Sequence, residues 1–186
     1  MIITLKDKDF VWVGVSTDNT YSLIHRDDII NEENLKMWRT SGAIMASYKA
    51  DGIDIDRIRY QARLDIPGKL DHKSLIRRVI PNLTTVFEDT DMMDGDDSWQ
   101  SFVIAKGDKA FEICSNFVCT EIEDFEVTGS RRCSDVAWGS MTYNKSLPPI
   151  ERIAEAFRDV ERIEYEVQFP IVIMNTKSKQ RIVIYE

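Results

Sequence analysis

Two short apolar runs rich in β-branched and aromatic residues open the chain, over residues 2–5 and 10–15, with the charged cluster Lys6-Asp7-Lys8-Asp9 between them. This pattern predicts a β-hairpin. A turn-forming cluster follows at residues 17–20, then short strands at 21–24, 35–39 and 42–50, with a polar loop over 25–33. The period then lengthens. Ile55, Ile58, Ala62 and Leu64 recur at helical spacing, and Pro67-Gly68 ends that helix. Asp71 is placed to cap a second helix whose apolar face carries Leu75, Ile76, Val79, Ile80, Leu83, Val86 and Phe87, with Pro81 as an expected kink. Strands return at 101–105, 110–114, 117–120 and 125–128, and turns fall at Lys106-Gly107-Asp108 and Ser115-Asn116. A helix over 133–143 follows Gly129-Ser130. Pro148-Pro149 opens the last helix, where a missing N–H costs nothing. Strands at 169–174 and 181–185 close the chain around a turn over 175–179.

Strands, two helices, strands, two helices, two strands is not the alternation of a parallel α/β fold. It predicts an α+β protein built from antiparallel hairpins, with helices packed outside. Two sheets facing each other between two helix layers bury every apolar face, a four-layer α-β-β-α sandwich. Phe102, Ile104, Phe111, Ile113 and Phe117 are expected in strands, turned toward either the partner sheet or a helix layer. No internal repeat or long linker divides residues 1–186, so a single domain is expected.

At 186 residues the chain has room for a substantial core, and 43% hydrophobic with 30% charged residues is a globular composition. The net charge of −8 argues against a general nucleic-acid or acidic-membrane binder, which needs a basic face. The pairs Arg77-Arg78 and Arg131-Arg132 read first as solvated surface. No apolar run approaches the ~18–20 residues that span a bilayer, and no signal peptide is expected. Cys114, Cys119 and Cys133 form no CxxC pair and fit a reducing cytoplasm, with a Cys114–Cys119 bridge as the alternative. His25 and His72 lie in no metal-ligand spacing, and no cofactor is implied. The acidic stretch 89–97, DTDMMDGDD, lacks the calcium-loop order. It reads as a solvated loop, with a metal site as the lesser alternative.

The element order, VWVGVS in the second strand, Leu35-Lys36 in a short strand and VTGSRR ahead of a helix together resemble a known family over nearly the whole length. They resemble proteasome β-type subunits and the subunit of the simpler bacterial ring protease, within the N-terminal nucleophile hydrolases. The resemblance implies the four-layer sandwich and homo-oligomeric assembly, in rings or stacked rings, through the outer helices. It also implies a chemistry. The first residue of the mature chain is Thr, Ser or Cys, its side chain attacks a carbonyl, and its own α-amine, with an unperturbed pKa near ~8, is the general base. A lysine, an aspartate that positions it, and a Gly-Ser turn complete the site.

Carried onto this sequence, the implied nucleophile position holds Met1, whose thioether cannot perform acyl transfer. Ile2 is bulky, so Met1 is expected to be retained. Thr4 is the nearest hydroxyl nucleophile, reached only by cutting Ile3–Thr4 without the usual preceding glycine. Lys36 matches the lysine by context or is a surface lysine. The aspartate falls on Val15 or Ser16, with Asp18 as a substitute if the turn shifts. Gly129-Ser130 match the start of the turn, while Arg131 replaces the following glycine; Ser130 read alone is a helix N-cap. Arg131, Arg132 and Lys36 are candidates to hold an anion at the helix N-terminus. Two readings follow. One is a non-catalytic, self-assembling structural or binding subunit. The other is an amide-bond hydrolase using Thr4 after processing, or an internal hydroxyl such as Ser16, Thr17 or Ser130 near Lys36. The expected partners are further copies of the chain and a peptide or small-molecule ligand, with neither nucleic acid nor membrane.

Overall fold

Two five-stranded antiparallel sheets face each other through a layer of aliphatic side chains. The computed structural model describes residues 1–17, 36–48, 52–62, 64–88, 101–114, 116–164 and 167–186. The first sheet has the order β10-β9-β2-β1-β8, with β1 Ile2–Asp7, β2 Phe10–Thr17, β8 Phe125–Thr128, β9 Gln168–Asn175 and β10 Arg181–Ile184. The second has the order β3-β4-β5-β6-β7, with β3 Met37–Thr40, β4 Ala43–Tyr48, β5 Ser101–Lys106, β6 Lys109–Cys114 and β7 Cys119–Glu121. Helix α1 is Gly52–Gln61. Helix α2 is continuous through His72–Ser74, a π-helical turn Leu75–Val79, and Ile80–Glu88. Helices α3, Arg131–Tyr143, and α4, Pro149–Glu161, complete the set.

Side-chain alternation sorts the strands into three cores. Val11, Val13 and Val15 of β2 meet Ile44, Ala46, Val103 and Ala105 of the second sheet between the layers. Met45, Phe102, Ile104, Phe111 and Ile113 face α1 and α2 instead. Ile3, Leu5, Ile171 and Ile173 face α3 and α4, where Ile153, Ala154 and Phe157 supply the other side. The fold is therefore the α+β, four-layer α-β-β-α sandwich expected, and Phe102, Ile104, Phe111 and Ile113 turn toward a helix layer. Among the described residues no helix is long and apolar enough to cross a membrane.

Local differences from the expected elements have physical reasons. The first turn is only Lys8-Asp9, with Lys8 at φ 49°, so the strands extend until Asp7 pairs with Phe10. Phe117 is not in a strand: at φ 60° it turns the chain back, and its ring packs edge-on against Phe87, 5.7 Å between centroids. The kink expected at Pro81 is a widened turn that ends just before it, where Ile80 N–H donates to Leu75 O. Proline has no N–H to give to the carbonyl four residues back, and a π turn just ahead of it resets the ladder. Asp71 caps α2 as expected, through a reciprocal box with Ser74. The strand at 21–24, the loop at 25–33, the acidic stretch 89–97, Leu35 and Asp18 lie outside the described residues.

One end of the sandwich is tied shut. Thr176 N–H donates to Val11 O at 2.9 Å and Thr176 Oγ1 donates to Gly107 O at 2.5 Å, joining the sheets. Arg39 Nη2 donates from β3 to the carbonyls of Asn175, at 2.9 Å, and Ser178, at 2.5 Å. The candidate site lies at the other end.

Gly14 is where α4 comes closest to the sheet. A Cβ there would lie 2.8 Å from Ile153 Cγ2 and 3.1 Å from Phe157 Cε2, both buried side chains. Gly14→Ala is therefore expected to destabilise the protein by about 1–3 kcal/mol, as overpacking does. Urea denaturation reads this directly, and an unchanged midpoint would show that the sheet and α4 are not in contact as described.

Candidate functional site

The end of β2, the start of β1 and the start of α3 meet at the untied end of the sandwich. The β1–β2 ladder runs from Asp7↔Phe10 to Ile2↔Val15, and one further step brings Met1 beside Ser16. Ser16 N–H donates to Met1 O at 3.2 Å. The Met1 α-amino group donates to Ser16 Oγ at 3.0 Å, and both residues are buried. The amine and the hydroxyl are thus held at hydrogen-bond distance by strand pairing.

The Met1 side chain goes elsewhere. It shares a face with Ile3 and Leu5 and enters the core beneath α3, among Val127, Cys133, Ala137 and Met141. A Cβ on Gly129 would lie 3.2 Å from Met1 Cγ and 3.4 Å from Ser134 Oγ, so this glycine admits the thioether. Ser130 follows at the N-cap of α3, half-buried, with φ −60° and ψ 151°, and makes no side-chain capping bond. Met1, Ser16, Gly129 and Ser130 therefore converge at the site.

Thr4 sits mid-strand between Val13 and Glu126, wholly buried, and among the described residues its Oγ1 has no hydrogen-bond partner. Cutting before it would remove the Ile2 and Ile3 pairings to both β2 and β8. Lys36, half-buried, leads into β3 at the same end of the sandwich, its carbonyl accepting from Ser47 N–H at 2.8 Å. Arg131 is exposed on the first turn of α3. Arg132 Nε pairs with Glu164 Oε1 at 2.5 Å, so an anion bound there competes with a carboxylate already in place.

One feature of this end was not singled out in the sequence. Thr128 Oγ1, opposite Ile2 on β8, donates to Glu112 Oε1 of β6 at 2.9 Å, linking the two sheets. Burial pushes the Glu112 carboxyl above its usual range, the bond from Thr128 opposes this, and the Glu126 charge adds to it. The signal was readable: alternation puts Glu112 on the same face as inward-pointing Ala110.

No family model matches the sequence, and no curated protein matches it. Solved structures do. BPH from Thiobacillus denitrificans, also solved in complex with epoxomicin, aligns at TM-score 0.72 with 18% identity, over 94% of this chain and 96% of that one. Anbu, described as an ancestral beta-subunit, from Yersinia bercovieri aligns at 0.69 with 10% identity, over 100% and 86%. Eukaryotic HslV from Trypanosoma brucei aligns at 0.58 with 12% identity, over 94% and 97%. The fold is that of the proteasome-like N-terminal nucleophile hydrolases.

Two measurements check this geometry. Because Glu112 holds its proton to higher pH folded than unfolded, its contribution to stability falls as pH climbs from the ordinary glutamate value of 4.5 toward the raised folded value, and is level above that. Glu112→Gln is expected to match the parent in denaturant at pH 4 and to exceed it at pH 7. An equal difference at both would contradict the buried pairing. Thr4→Val removes a buried hydroxyl with no partner and is expected to leave stability unchanged or raise it by about 1 kcal/mol. A loss of 2 kcal/mol or more would show that Thr4 Oγ1 has a partner.

Proposed function

We propose that this chain is a proteasome-like subunit that lacks the N-terminal nucleophile and acts, as one domain in the cytoplasm, as a self-assembling structural or binding subunit. The observation that carries the reading is the side chain at the head of β1. It is a thioether packed into the α3 core beside Gly129. Neither its chemistry nor its direction suits attack on a carbonyl in the cleft between the sheets. The fold shared with Anbu and HslV supports a role as a subunit.

A second reading rests on the Met1 amine and Ser16 Oγ, 3.0 Å apart. A neutral amine at that distance takes a hydroxyl proton, so Ser16 could attack an amide bond with the α-amine as base. Lys36, and Ser130 Oγ, left out of capping, would then serve the developing charges. Thr4, freed by cutting, is the remaining route to a hydrolase.

Incubation with epoxomicin or with a fluorophosphonate, followed by intact-mass measurement, separates the readings. The first predicts an unchanged mass. An adduct that Ser16→Ala abolishes would overturn it in favour of the second, and an adduct on a chain beginning at Thr4 would favour processing. Light scattering is expected to give a mass several times that of one chain; a monomer at all concentrations would sink the subunit role.

A further inference from the structure

A basic groove crosses the outer face of the first helix layer, where the segment after α1 leads into α2, and encloses about 310 Å³. Lys69 lines it from that segment, and Lys73, Arg77 and Arg78 line it from α2. All four side chains are exposed, and among the described residues none has an ion-pair partner. The chain carries 32 acidic residues to 24 basic ones, so four unpaired cations around one groove form a local field opposite to that of the whole molecule.

The cations stand on an anchored backbone. Leu70, Leu75 and Val79, interleaved with them in sequence, are buried in the core beneath. Lys106 Nζ donates to Ile66 O, which ties the entry segment to the end of β5, and Gly68, at φ 78°, turns the chain toward α2. On α2, Lys73 with Arg77 and Ser74 with Arg78 are pairs four residues apart, which places them in two adjacent rows on one face. Both arginines fall in the widened turn Leu75–Val79, a kind of turn frequent at functional sites. The one acid in the lining, Asp71, is engaged with the helix, where its Oδ1 accepts from Ser74 N–H at 2.6 Å. Ser74 Oγ is occupied in return, accepting from Asp71 N–H at 2.9 Å and donating to Asp71 O at 2.8 Å.

We infer that this groove binds a compact oligophosphate, with two or three linked phosphates lying among Lys69, Lys73, Arg77 and Arg78. The field selects an anion, and the planar forks of two arginines suit phosphate oxygens. Extent selects more than one phosphate. Lys73 to Arg78 covers about 7 Å of helix axis at ~1.5 Å per residue, and Lys69 adds a cation from the adjoining segment. Volume and lining limit the rest of the ligand. Small-molecule sites run from about 300 to 1,000 Å³, and this groove is at the small end. Pro67 is the one apolar residue among the described lining, which offers no ring on which a base could stack. A long polyanion such as nucleic acid fits less well, because the acidic remainder of the surface repels it. The groove lies toward the tied end of the sandwich, away from Met1 and Ser16, and is independent of either reading of the function.

Isothermal titration of the full chain in low-salt buffer tests this, with thermal melting alongside, using tripolyphosphate, ATP, orthophosphate and citrate as probes. Tripolyphosphate is expected to bind once per chain and roughly tenfold or more tightly than orthophosphate or citrate. ATP is expected to match it within about threefold, since its base stays in solvent. Lys73→Glu with Arg77→Glu is expected to weaken binding by roughly tenfold or more. Lys145→Glu with Lys179→Glu makes the same change in net charge at exposed lysines elsewhere and is expected to bind like the parent. Arg77→Lys with Arg78→Lys keeps the charge, loses the forks, and is expected to bind about threefold more weakly. No binding of tripolyphosphate by either readout would overturn the inference. So would orthophosphate or citrate binding as tightly, an equal loss in the two glutamate variants, or no loss in the lysine variant, each of which marks a diffuse field rather than a site. ATP binding far more tightly than tripolyphosphate would show that the base is read and would overturn the ligand class.

Discussion

The approach of the Met1 side chain to Gly129 sets the character of this end of the molecule. With no side chain, Gly129 lets a methionine lie under the first turn of α3, where any Cβ would crowd it at 3.2 Å. The backbone of β1 is thereby fixed at its very start, and the ladder with β2 carries that placement to Ser16. Three distant parts of the chain thus define one small volume: the head of β1, the end of β2 and the entry to α3. Burial of a flexible thioether in the core is ordinary stabilising chemistry, and methionine suits an irregular gap of this kind. Under the function proposed above, the position at the head of β1 serves packing rather than attack on a carbonyl.

The two ends of the sandwich differ in kind. At one, Thr176 and Arg39 stitch the sheets together through main-chain carbonyls. At the other, a carboxyl and a hydroxyl, Glu112 and Thr128, bridge the sheets. Each bond of the first sort depends little on solution conditions. The second titrates, because Glu112 is buried and lies in the field of Glu126. The end that holds Met1 and Ser16 is therefore also the end where a titratable group bridges the sheets.

Much of the architecture was legible because its signals are local. The β-branched runs of β1 and β2, the capping Asp71 and the proline ahead of Ile150 each announce an element from within a few residues. Directions and partners were not. Met1 lies on the face of Ile3 and Leu5, toward α3, and nothing near it in sequence states which face of β1 meets which layer. Phe117 has strand composition but stands at φ 60°, because its ring finds Phe87 across the helix layer. Glu112 and Thr128 are paired by sheet stacking, at a separation no periodicity reports. Arg77-Arg78 read as a solvated pair; only the turn at Pro67 brings Lys69 and Lys73 to the same groove. Of the site, Met1, Gly129 and Ser130 were legible from the resemblance, whereas the bond from the amine to Ser16 needed the register.

The most direct test of the account is the identity of the first residue in protein isolated from the cells that make it, read by N-terminal sequencing. The account predicts methionine followed by Ile2 and Ile3, with its thioether in place beneath α3. A chain whose first residue is threonine, serine or cysteine would contradict it.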